Sequence, residues 1–210
     1  KADVTVAALA HAPGGSAMEM RVRVVFGEGE QGFVRELAVF GARTLIPHPK
    51  GDRISSTEPF ETIPLTYEHA FGGPAFVANP VGMGHPPAPV VGEPEPPPAE
   101  LALPHVEDPA ALIRSSRDRP APVGFAPISM VWTSRRDKLG TFDDDWLATR
   151  WPYFPADFEA AFFQAAPAPQ QLASVRGDER FELHGLHAEH PVLRGQLPGL
   201  RARCFVQRGS

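Results

Sequence analysis

Alternation of apolar and polar residues is clearest at the two ends of the chain. Asp3 to Ala10 and Met18 to Phe26 are short, Val-rich and partly alternating, with Pro13-Gly14-Gly15 between them. A period near two sends successive side chains to opposite faces of a strand, so this pattern predicts a hairpin. Phe33, Leu37 and Val39 keep the same period through Phe33 to Phe40, and Arg43 to Ile46 follows after Gly41. The first quarter is therefore expected to be an antiparallel meander. Strands return at Arg180 to Leu183, Val192 to Leu197 and Arg201 to Val206, divided by glycine and proline.

Helical spacing between these ends is brief. Asp143 precedes Asp144, Asp145 and Trp146, and acids there complement the positive end of a short helix running to about Arg150. In the segment from Pro155 to Gln164, Phe158, Ala161 and Phe162 are three or four apart, which predicts a second short helix ended by Pro167. Pro109 to Arg114 allows one or two more helical turns. None is long enough to stand alone, so each must dock on the sheet. Periodicity is mostly lost from Pro47 to Pro127, and Pro86 to Pro104 is crowded with Pro, Glu, Ala and Val. That run reads as an exposed surface loop, solvated by Glu93, Glu95 and Glu100. The pattern predicts one mainly β domain over residues 1–210, an antiparallel sandwich-like fold or curved meander. Two or three short helices and long Pro/Gly-rich loops would complete it.

Composition explains why the elements are short: 25 Pro and 19 Gly among 210 residues restrict or punctuate the backbone throughout. A formal net charge of -5 with no dense Lys/Arg block removes the electrostatic footprint of a nucleic-acid binder. Cys204 is the one cysteine, which excludes an internal disulfide; its place in an alternating run reads as a core or strand position. No apolar stretch approaches the ~20 residues that span a bilayer. The start at Lys1 reads as that of a piece of a longer protein.

Two groups of residues invite a chemical reading. His184, His187 and His190 are spaced by three, as zinc ligands on one helix face would be, but Gly185 and Pro191 interrupt the segment and favour a solvated turn. Asp143, Asp144 and Asp145 offer paired carboxylates for acid/base or metal work, yet acids before an apolar run more often begin a helix. Phe71-Gly72-Gly73 and Gly82-Met83-Gly84 lack the strand that precedes a phosphate loop, and Ser129 lacks a nucleophile elbow. What remains is a set of aromatic and Arg residues in loop-rich segments: Tyr67, Phe71, Trp132, Arg135, Trp146, Arg150, Trp151, Tyr153 and Phe154. Such residues anchor interfaces, or cover a sheet where regular structure is scarce.

The least periodic segments carry a resemblance. PLTYEHAFGG (64–73), NPVG (79–82), LPHVEDP (103–109), DRPAPVGFAPI (118–128), Trp132 with Arg135, GTFDDDW (140–146) and RWPYFPADFEAAFFQAAPAPQQ (150–171) occur in this order, before a strand-rich end containing Leu197-Pro198-Gly199. Together they resemble the domain of unknown function 2169 family of type VI secretion effector adaptors, with His69 where that pattern leads one to expect arginine.

The resemblance implies a bacterial, cytoplasmic, non-enzymatic adaptor or chaperone without a cofactor. It would bind a toxic effector and help load it onto the valine-glycine-repeat spike protein (VgrG) or its PAAR-type tip. It supplies no catalytic residues. The expected partner contacts are Arg135, Arg150, Trp132 and Trp146, with Tyr67, Glu68, His69 and Phe71 beside them; the Arg ends are expected to touch the partner and the Trp rings to support them. A carbohydrate-binding β module and a metal-dependent hydrolase are the alternatives.

Overall fold

The computed structural model describes residues 1–87 and 99–199. Its centre is a five-stranded antiparallel sheet. The first 18 residues and the middle of the chain supply shorter ladders around it. Among the described residues the strands are β1 (Ala2–Asp3), β2 (Leu9–His11), β3 (Glu19–Phe26), β4 (Phe33–Phe40), β5 (Thr44–Ile46), β6 (Arg53–Ile54) and β7 (Thr62–Pro64). They continue with β8 (Phe71–Gly72), β9 (Met83–Gly84), β10 (Leu101–Ala102), β11 (Val106–Glu107), β12 (Gln171–Leu172), β13 (Arg180–His184) and β14 (Val192–Gln196). The central order is β11-β4-β3-β13-β14, so strands from the two ends of the sequence meet side by side.

Alternation makes the inner face. Val22 pairs with Leu37, Met20 with Val39, and Phe26 with Phe33, while Leu183 of β13 lies opposite Val24. The β2–β7 ladder covers this face with Ala10 and Ile63, joined by Leu65, Val123 and Phe125. Two layers thus close one core, as a sandwich does. The mainly β, antiparallel architecture with short helices agrees with the pattern read from the sequence.

The connections differ from the expected meander. The segment before Pro13 does not pair with β3: β1 joins β12 and β2 joins β7. Pro13–Gly15 forms a 3-10 turn with positive φ at Gly14 and Gly15, and carries the chain from one layer to the other. β5 likewise leaves the central sheet to pair with β10 and β6. Its Leu45 packs with Phe71, Leu103 and Ile113 in a second core. Leu101–Ala102 and buried Leu103 therefore give the end of the 86–104 run, expected as loop, a place in the structure. Residues 88–98 of that run, Cys204 and the expected strand Arg201 to Val206 lie outside the described residues.

Among the described residues there are two α-helices, α1 (Thr133–Arg136) and α2 (Asp144–Thr149). Asp143 caps α2 as expected, its side chain accepting from the Trp146 N–H at 2.9 Å. The helix predicted from Pro155 to Gln164 is instead a loop with one 3-10 turn at Ala160–Phe163. Pro109 to Arg114 forms turns, with Asp108 accepting from the Ala110 N–H at 2.8 Å. Among the described residues, no helix is long and apolar enough to cross a membrane.

Candidate functional site

Residues 128–166 form an irregular module tied to the rest of the fold through Asp3 of β1 and through Tyr67. Ile128 N–H donates to the Ala165 carbonyl at 2.7 Å, closing the module at its base. Asp3 accepts from the backbone N–H groups of Ala165 and Ala166, which ties that base to β1. Trp132 is 8% exposed and meets the Tyr67 ring edge-on at 5.2 Å. Arg135 lies across the inside: its Nε donates to the Phe162 carbonyl at 2.9 Å and its Nη1 to the Ile128 carbonyl at 2.6 Å. With both ends of its fork on main-chain carbonyls, Arg135 braces the module.

The outside of the module is aromatic. Trp151 is 64% exposed and Tyr153 75%, and Phe142, Leu147, Phe154 and Phe163 are exposed as well. These rings hold one another. Phe154 stacks on Phe158 at 4.1 Å, Phe158 meets Phe163 at 5.6 Å, and Trp146 meets Phe142 at 4.7 Å. The Trp146 indole N–H donates to the Tyr153 carbonyl at 2.9 Å, and Arg150, exposed, donates to the Phe154 carbonyl at 3.3 Å. The apolar surface is therefore pre-shaped by its own contacts. Concentrated exposed apolar area of this kind is the usual mark of a contact surface for another molecule.

The motif beginning at Pro64 supports this module from beneath. Asn79, fully buried, donates from Nδ2 to the Tyr67 carbonyl at 2.7 Å and to the Phe71 carbonyl at 3.0 Å. A Cβ on Gly72 or Gly82 would overlap the Asn79 backbone or amide, so both glycines are needed for the close approach. Tyr67 is fixed between Trp132 and Gly124, and burial pushes its hydroxyl pKa up to about 12. Arg35 lies on the core side of β4, and burial lowers its pKa against the raising influence of Tyr67 and Asp108. His69 faces His105 at 5.3 Å, and burial, with His105 second, holds its imidazole below the usual range. Glu68 is exposed, and hydrogen bonding to Thr66 lowers its pKa.

Of the eight residues expected at a partner surface, the structure brings Trp132 and Tyr67 together as the module's inner anchor. It puts Phe71 in a separate buried core and places Trp146 and Arg150 on the outer module. Gln170 was not singled out by pattern. It is fully buried and donates to the carbonyls of Val4 at 2.7 Å and Phe125 at 3.2 Å. Of the histidine trio, the rings of His187 and His190 lie 4.8 Å apart and His187 Nδ1 accepts from the backbone of Glu189 and His190, whereas His184 bonds Glu182 at 2.9 Å.

Fold and surface together define a small β protein that presents a braced aromatic module. All of residues 1–210 match the family described as "Uncharacterized protein conserved in bacteria (DUF2169)", and the chain belongs to that family. No curated protein and no solved structure matches this chain.

Proposed function

We propose that this chain is a non-enzymatic cytoplasmic adaptor that binds a type VI secretion effector and helps load it onto the VgrG or PAAR-type spike. The observation that carries the proposal is the exposed aromatic surface of residues 142–163, held in shape by internal hydrogen bonds and seated on a rigid β core. Rings with few rotatable bonds lose little entropy on contact, so such a surface suits binding and release of a protein segment. The resemblance of the motifs at 64–73 and 150–171 to effector adaptors supplies the identity of the partner.

The test is co-purification from the chain's own host. Tagged wild-type chain should recover a toxin encoded beside a spike gene, and the double variant Trp151→Ser/Tyr153→Ser should recover several-fold less while unfolding at the same urea concentration. Recovery of the toxin by both in equal amounts would move the binding surface elsewhere; no toxin with either would remove the adaptor role. Trp151 and Tyr153 are exposed enough to stack on sugar rings, which favours a carbohydrate-binding module as second reading. A glycan array bound by wild type and not by the double variant would select it.

A further inference from the structure

Charge narrows what the aromatic surface can accept. Residues 130–163 contain six acids and four bases, a formal charge of -2 within a chain of -5. Three of the bases are engaged locally: Arg135 with the carbonyls of Phe162 and Ile128, Arg150 with that of Phe154, and Arg136 at 3.9 Å from Asp137. Exposed acids lie beside the apolar rings. Asp144 shares a face of α2 with exposed Leu147 three positions on, Asp145 follows it, and Glu159 adjoins Phe158 of the stacked pair. Against the bases Arg150, next to Trp151, and Lys1, beside Phe163, the acids Asp144, Asp145 and Glu159 leave the rim negative on balance, so a like-charged partner is repelled and an oppositely charged one is drawn in.

We propose that the surface takes a peptide segment whose apolar anchors are flanked by Lys or Arg. The proposal rests on the adaptor reading and gives the chemistry of the effector segment. The anchors bury against Trp151, Tyr153 and Phe163, and the flanking bases approach Asp144, Asp145 and Glu159. Contact at such an exposed rim is screened by salt, whereas burial of the anchors is not.

The probe is a displayed library of random peptides, selected on the full chain and counter-selected on Trp151→Ser/Tyr153→Ser. Enriched peptides should carry a short apolar core with Lys or Arg within a few positions. A synthetic copy should bind about tenfold more weakly in high salt than in low salt. Asp144→Asn/Asp145→Asn/Glu159→Gln should weaken it by a similar factor and abolish the salt effect, with the urea midpoint unchanged. Enrichment of neutral or acidic flanks, no enrichment over the counter-selected variant, or unchanged binding by the neutralised variant overturns the proposal. Host co-purification separates the two ideas. An effector that stays bound to the neutralised chain in high salt leaves the adaptor role standing and removes the basic-segment assignment; no effector with wild type removes the adaptor role alone.

Discussion

Arg135 holds Phe162 twice: its Nε donates to that residue's carbonyl at 2.9 Å, and its guanidinium carbon lies 5.5 Å from the ring centroid. Its Nη1 bond to Ile128 then joins both ends of the aromatic module through one side chain. Arg135→Ala should therefore lower the unfolding free energy by about 2 kcal/mol, because two carbonyls lose a charged donor. Arg135→Lys should recover only part of it, since one ammonium cannot reproduce the fork. Urea denaturation measures both; a cost near zero for Ala would mean the module does not depend on this brace.

The three tryptophans should separate by burial. Trp132→Ala removes an anchored ring and is expected to cost about 3 to 5 kcal/mol. Trp146 is half-buried and bonded to Tyr153, so its loss should cost less, about 1 to 2 kcal/mol. Trp151→Ala should stay within about 0.5 kcal/mol. An order other than Trp132, Trp146, Trp151 in urea midpoints would contradict these placements.

Asn79 stitches the loop after Tyr67 to the turn that contains it. Asn79→Ala leaves the Tyr67 and Phe71 carbonyls without their donor and should cost about 2 to 4 kcal/mol. Gly72→Ala should be comparably harmful through steric overlap with the Asn79 backbone. Thermal melts of the two variants, alone and combined, should show a combined loss smaller than the sum, as expected for groups in direct contact.

Arg43 and Glu107 form an ion pair almost closed to solvent, over the outer face of β4. Burial is the leading influence on both: it lowers the Arg43 pKa and raises that of Glu107, while their mutual attraction opposes each shift. Removing one partner strands a buried charge, so Arg43→Ala should cost about 3 to 5 kcal/mol. Arg43→Met with Glu107→Leu should lie closer to wild type than either single change. Calorimetry showing the double variant worse than both singles would reject that account.

Much of the central sheet was legible because Val22, Val24, Leu37 and Leu183 obey the strand period and meet on one face. Ala38 and Phe40 break it, being buried on the other face, because Glu107 pairs beside Ala38 and Arg43 covers the Phe40 ring. No local pattern encodes that cover. Phe158, Ala161 and Phe162 have helical spacing, but their segment packs ring on ring with a single 3-10 turn. α1 is one turn, too short to show a period. At the site, Trp132 and Arg135 stood out by residue type, whereas Asn79 and Gln170 did not. Asn79 lies among glycines and prolines and Gln170 between Pro169 and Gln171, with no pattern to mark either; their roles come from carbonyls on other segments.

Acidification should destabilise the chain in two stages. The His69 pKa is lowered from 6.5 by burial, and such a group contributes stability above its unfolded pKa that is lost as pH falls through the folded one. The first loss therefore begins below about pH 6.5. Glu179, lowered by backbone hydrogen bonds, and Glu182, lowered by Arg194 and His184, add theirs below the ordinary carboxylate range. Glu107, raised by burial, acts in the opposite direction. Tm followed from about pH 7 to 5.5 should fall for wild type and flatten for His69→Gln; parallel curves would clear His69 of the effect.

The place of β13 beside β3 has a consequence for how the protein is made. More than half the chain separates Phe26 from its partner Phe181, so the sheet closes only through a very long loop. On the ribosome, the β3–β4 hairpin emerges early with the flank of β3 bare and waits for β13 to be synthesised. During that interval its backbone donors and acceptors are open to another nascent copy. Yield in a foreign host should thus follow the speed of translation more than the stability of the finished fold.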